Sequence, residues 1–299
     1  MIRGLYTAAS GMTSLQNRQE ALSNNLANVN TPGYKQTEGV LRTFPEELIL
    51  RMNDQDESIV KGYPIPGVTP APVGRLAHGV YMQEAIPVFS QGDIAQTYSP
   101  FDVAFTDNLE IPQDAEEYNN KPIQPKMFIS VARMGDPTQA AEDDTIRLTR
   151  NSSWNVSEQG YLVTNDGYYL LDRANRPIQI NNGTDTLNGT FQVGANGRVT
   201  LSNNTNADLN LVSVTNPYQL LREGNNLYRA DDPDNVVALG AADEGRYALR
   251  QGWQERSNVD PTRTTTDMMM VLRAYEANQR VISTLDGTLE KAANEIGRV

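Results

Sequence analysis

The chain of 299 residues carries 37 acidic against 25 basic side chains, a formal charge of −12, with 38% hydrophobic and 21% charged content. That length supports one large domain or two smaller ones around real cores, and the composition excludes wholesale disorder. The negative charge repels nucleic acid and anionic lipid at long range, and the lack of cysteine removes disulfides, thiolate nucleophiles and Cys metal sites. Histidine-based triads and multi-His metal sites hang on one residue, His78, which reads as an ordinary loop residue.

At the N-terminus, Met1 to Thr7 shows no apolar h-region after Arg3, and no run of 18 or more apolar residues exists anywhere. Neither a membrane span nor a cleavable Sec signal is expected. Steps of alternately three and four from Leu5 pick out Leu5, Ala8, Met12, Leu15, Gln19, Leu22, Leu26 and Val29. This period of 3.5 is a coiled-coil seam about three heptads long, broken only by Gln19. Asn30-Thr31-Pro32-Gly33 stops the helix, because proline removes a donor and glycine is conformationally permissive.

Residues 44 to 75 read as extended and loop-like, with the acidic cluster Asp54, Asp56 and Glu57 ahead of proline-rich runs ending at Pro72. Prolines at that density exclude a continuous helix or a central strand and suggest a semi-rigid connector. From about 76 to 250 the signals are those of many short strands. Tyr161 to Leu171 sets an Asp-Gly turn between apolar runs, and Phe191 to Leu201 repeats the device with Asn-Gly. Further strand candidates are Lys126 to Arg133, Ile146 to Arg150, Leu209 to Val214 and Arg246 to Arg250. The Asn-x-Ser/Thr sequences at Asn151, Asn155, Asn182, Asn188 and Asn204 read as turns.

The same count at the C-terminus gives Met268, Val271, Tyr275, Asn278, Ile282, Leu285, Leu289, Ala292 and Ile296, with Asn278 the lone polar member. Asp260-Pro261 is a plausible cap and first turn for this helix, and Thr264 to Asp267 offers a second start. Each terminal helix spans ~35 to 45 Å at 1.5 Å per residue and gains little until its stripe is buried. Packing on the central module is one outcome; the strict 3.5 repeat favours pairing with each other and with neighbouring subunits. The expected fold is therefore mainly β, with a terminal coiled-coil helix pair and a central all-β domain. Its boundaries are 1–33 plus 257–299 for the helices, 34–75 for the connector and 76–256 for the β domain.

Two other function classes compete with a structural role. An enzyme would need an acid/base pair such as Asp143-Asp144 or Glu116-Glu117, but adjacent strand positions point to opposite faces, and no phosphate or dinucleotide motif occurs. A carbohydrate-binding or adhesive module would use Trp154, Tyr161, Tyr168 and Tyr169 as a stacking surface, although those rings also suit hairpin packing. No catalytic residue, cofactor, metal or small-molecule substrate is expected.

The run Leu5 to Met12, followed by Asn24-Asn25-Leu26-Ala27-Asn28-Val29-Asn30-Thr31-Pro32-Gly33-Tyr34, resembles the N-terminal signature of the bacterial flagellar rod and hook proteins. Ser257, Asn258 and Val259, with Arg273 to Thr284, resemble the family's C-terminal signature, and Gln91 to Ala104 its passage into the β domain. Thr106 to Pro125 departs from the family pattern. The resemblance implies an axial tube subunit of the basal body in the cell envelope, exported by the flagellar type III apparatus. Its partners would be copies of itself and neighbouring rod or hook proteins. Family hook proteins often carry an additional outer β domain, so the compact chain leans toward the rod, with hook as the alternative.

The expected mechanism is coupled folding and assembly. Leu5, Met12, Leu15, Leu22, Leu26 and Val29 are expected to face Met268, Val271, Tyr275, Ile282, Leu285 and Leu289, with Gln19 and Asn278 as candidate register positions.

Overall fold

The structure is a computed structural model that describes residues 2–44, 47–51, 71–76, 79–112, 116–118, 121–180, 191–200, 206–240, 243 and 245–296. It divides into two compact units. One comprises Met1–Asn24, Glu38–Ile86 and Thr262–Val299, and the other Asn25–Thr37 and Pro87–Pro261.

The first unit holds most of both terminal helices, α1 (Ile2–Ala27) and α2 (Pro261–Lys291). The α1 helix gives way to turns closed by Asn28 N–H on Asn25 O and Val29 N–H on Leu26 O, and Gly33 then turns the chain at φ 66°. At α2 the earlier of the two starts is used: Pro261 occupies the first turn, where its missing N–H costs nothing. A π-type turn, Ala292–Ile296, follows α2.

This unit also contains paired strands within the stretch expected to be an extended connector. Thr37–Thr43 pairs with Val80–Pro87, and Glu47–Arg51 runs antiparallel to Ala71–Leu76 with an irregularity between Ile49 and Leu50. The proline argument holds for central strands only. Each strand of a two-stranded ribbon is an edge, so Pro72 needs no ladder bond on its open side. The acidic cluster Asp54, Asp56 and Glu57, and His78, lie outside the described residues.

The second unit is built on an antiparallel nine-stranded sheet around Lys126–Ala132. One edge of that strand takes Ile146–Thr149, and the other is shared by Tyr169–Leu170 and Leu211–Val214. The period of two places its side chains in different cores. Met127, Ile129 and Val131 join Val103, Phe105, Trp154, Leu162 and Leu170 in the main one, while Phe128 joins Phe89, Leu148, Val212 and Tyr228 in another.

Both turn signals produce hairpins. Val163 faces Tyr169 across a turn with Gly167 at φ 80°, and Val193 faces Val199 across one with Gly197 at φ 81°. A Cβ on Gly197 would lie 2.6 Å from Leu211 Cδ1, so close packing demands glycine there as well as the turn does. Asn155 is a correction to the turn reading, because it sits within the strand Trp154–Val156 and its amide donates to Asn165 Oδ1. Asn182, Asn188 and Asn204 are outside the described residues.

The segment that departs from the family pattern is anchored at its start. Val103–Asp107 pairs with Tyr247–Gln251, and a short hairpin of Glu117–Tyr118 with Lys121–Pro122 follows.

Candidate functional site

Two places carry the residues singled out by sequence: the helix faces of the first unit, and the junction in the second unit where both ends of the chain meet the β module.

On α2 the seam is legible in exposure. Met268, Tyr275, Asn278, Ile282, Leu285 and Leu289 are half-buried and Val271 is buried, while most positions between them face solvent. On α1, Leu5, Met12, Leu15, Leu22 and Leu26 are likewise half-buried, as is Val29 in the turn beyond it. Two glycines mark where the helices meet. A Cβ on Gly4 would lie 3.5 Å from Leu285 Cδ1, and one on Gly11 would lie 3.0 Å from Asn278 Nδ2. Seven residues forward in α1 match seven back in α2, so the local alignment is antiparallel.

A second face of α1 escaped the sequence reading. Ser14 and Ala21 are more deeply buried than the seam leucines, and Ser14 Oγ donates to Val80 O at 2.8 Å. The stripe is small and polar, so hydrophobic periodicity passes over it. A backbone strand approaches there, and that requires short side chains.

In the second unit the motif residues converge. Asn25, buried at the end of α1, donates through Nδ2 to Thr37 O at 2.8 Å. Its Oδ1 accepts from the Tyr34 hydroxyl and from Thr37 N–H. One amide thus closes the loop of Asn28, Thr31, Pro32 and Gly33, inside which Thr31 Oγ1 donates to Asn28 Oδ1 at 3.1 Å. Tyr34 is buried with the Arg222 guanidinium 4.8 Å above its ring. From the other end, Asn258 Oδ1 accepts Gln36 N–H at 2.7 Å, and its amide donates to Val88 O and Ser90 Oγ. Ser257 Oγ accepts from the N–H of buried Val259. Asn24 is exposed beside this cluster, on the helix side.

Beneath these bonds lies a charge network that the sequence did not announce. Lys35 Nζ meets Glu255 Oε1 at 2.6 Å, Arg150 Nη2 meets Glu255 Oε2 at 3.3 Å, and Arg150 Nη1 meets Asp107 Oδ2 at 2.8 Å. All four side chains are at most 1% exposed, and Lys126 approaches Asp107 from the rim at 3.7 Å. Burial pushes the Lys35 ammonium down to about 8, with Arg150 adding to the push and Glu255 opposing it. Burial works to raise the carboxyls of Glu255 and Asp107. Arg150 and a nearby lysine at each outweigh it and hold both below their ordinary values. Charged residue types read as surface in a single sequence, so no local signal pointed to this network.

The backbone is equally tight here. A Cβ on Gly33 would fall 2.2 Å from Arg150 O, and one on Gly92 would fall 2.0 Å from Arg256 O.

The residues named for the other two function classes lie apart from this junction's bonds. Asp143 and Asp144 are exposed in a 3-10 turn, and Glu116 accepts from the amides of Asn216 and Gln219. Trp154 is 2% exposed in the main core, which removes it from any stacking surface, and Tyr161 packs edge-on to Tyr169.

The motif residues of both chain ends thus converge on one junction. Family models match in three places. "Flagella basal body rod protein" matches residues 5–35, "Flagellar hook protein FlgE/F/G D1 domain" residues 138–201, and "Flagellar basal body rod FlgEFG protein C-terminal" residues 250–295. The chain is 36% identical over 299 residues to the flagellar hook-basal body complex protein FlhO of Bacillus subtilis, covering 100% of both chains. It is 28% identical to FlhP of the same organism, over 97% of each chain. It is 29% identical to the flagellar basal-body rod protein FlgG of Caulobacter vibrioides, again over 97% of each. The chain therefore belongs to the flagellar rod and hook protein family. It is a structural component of the flagellar basal body and not an enzyme.

Proposed function

We propose that the chain is a rod-type subunit that joins copies of itself and neighbouring rod or hook proteins through its terminal helices, after passage through the flagellar type III export apparatus. The observation that carries this reading is the unfinished burial of those helices. Their seams are half-buried, and Met269, Met270, Leu272 and Val281 of α2 are 38% to 61% exposed. Apolar helix surface left open in one subunit stabilises an assembly when neighbours cover it. The antiparallel approach at Gly4 and Gly11 supports pairing of the two helices as a coiled coil within the subunit.

Rod over hook is supported by near-complete, end-to-end similarity to relatives that include FlgG, named as a basal-body rod protein. Cross-linking in isolated basal bodies distinguishes the two: a rod subunit is recovered with rod neighbours, and recovery only with hook protein overturns the assignment.

The assembly reading is tested by Leu22→Asp, a half-buried seam position that belongs to neither core of the second unit. Polymerisation with rod components is lost while the near-ultraviolet spectrum of the β module is retained. Polymers of normal yield from Leu22→Asp sink the seam mechanism.

A further inference from the structure

The charge network of the second unit has a property that ordinary core packing lacks. Its members come from four separate stretches, and the outermost two, Lys35 and Glu255, stand 220 positions apart. We propose that Lys35, Glu255, Arg150 and Asp107 form a two-ended lock, by which the β module closes only after a segment from each end of the chain has delivered its charge to the core. The proposal concerns folding of the second unit and goes beyond the assembly reading.

The balance of charge makes the argument. The complete quartet holds two cations and two anions, all essentially excluded from water. Without the segment that carries Glu255, Lys35 and Arg150 face Asp107 alone. Without the segment that carries Lys35, Arg150 faces two carboxylates. Either state leaves one buried charge uncompensated, which is far costlier than the intact set or an apolar replacement of it.

Reserve hydrogen bonding is small. Lys35 Nζ also donates to Ser90 O, and Gly92 N–H donates to Glu255 Oε1, but Arg150 Nε has no hydrogen-bond partner. The lock also reaches the centre of the sheet. Arg150 donates to Met127 O, and Met127 N–H donates to Asp107 Oδ2, so the network is bonded to both backbone groups of one residue in the central strand. A missing end is thereby felt at Lys126–Ala132 and not only at the junction. The physical consequence is that a chain with one end withheld stays open, while the complete chain closes cooperatively.

Native-state hydrogen exchange on the full-length chain tests this with Lys35→Met, Glu255→Gln and the double variant Lys35→Met/Glu255→Met. Each single variant is expected to accelerate exchange roughly a hundredfold at the junction amides Gly33 and Val88 and also at Ile129 and Val131 in the central strand. The double variant, which leaves the neutral Arg150–Asp107 pair, recovers most of that protection even if a single variant fails to fold. Acceleration confined to residues 33–37 and 88–92 overturns the lock and leaves a local tie. A double variant as unprotected as the worse single one also overturns it, because packing rather than charge balance would then be the cause.

Discussion

The two units solve the problem of burial in opposite ways. The second closes on itself: Val103, Val131, Leu162 and Leu170 are entirely excluded from solvent, and even its charged side chains are paired inside. The first leaves its hydrophobic seams half-covered and sets methionines on the outside of α2. A module with a filled core holds its own fold even with Tyr98 and Val237 left exposed, whereas helices that bury one stripe incompletely gain stability from whatever covers the rest. Under the assembly reading proposed above, that contrast would separate a body with a filled core from the part that neighbours finish.

The contrast breaks hardest at Arg150. Arg150→Met leaves Asp107 and Glu255 as two buried carboxylates without their shared cation, and a loss of about 3–5 kcal/mol in the unfolding of the β module is expected in urea titrations. A loss below about 1 kcal/mol, typical of exposed pairs, would show that water reaches the site.

Gly33→Ala comes next. Left-handed φ costs an alanine about 1–3 kcal/mol, and the added methyl meets Arg150 O as well, so the thermal midpoint of the β module falls. An unchanged midpoint would mean that the loop re-forms with a different backbone.

Dependence on pH sharpens the picture on the acid side. Glu255 and Asp107 ionise at lower pH folded than unfolded, so their stabilisation is full above the ordinary carboxylate range and drains as pH falls through their folded values. Urea titrations of the wild-type chain and Glu255→Gln across the acid range read this, and parallel curves for the two proteins would place the titration elsewhere.

The smallest effect belongs to the open unit. Gly11→Ala gains helix propensity and crowds the Asn278 amide, so the net change stays below about 1 kcal/mol, and adding Asn278→Ala turns it into a gain. Circular dichroism of the helical fraction on heating reads both variants. Additive effects of the two substitutions would show that the residues do not touch in solution.

What the sequence by itself determined was whatever is written in short-range pattern. The 3.5 period at both ends, the Pro-Gly stop after α1, the Asp260-Pro261 start of α2 and the two Asx-Gly hairpins all depend on neighbours within a few residues. The structure contains each of these helices and turns. The motif residues Asn25, Tyr34 and Asn258 were legible as a signature, but their work as bonds that close one junction was not.

Only the tertiary structure decided the rest. The ribbon within the expected connector forms because two stretches meet across the chain. The second face of α1 is small and polar because a strand backbone lies against it. The Lys35–Glu255–Arg150–Asp107 network joins side chains that, singly, every rule assigns to the surface. Burial of a charge is permitted by its partner, and no local pattern carries a partner that lies as far away as 220 residues.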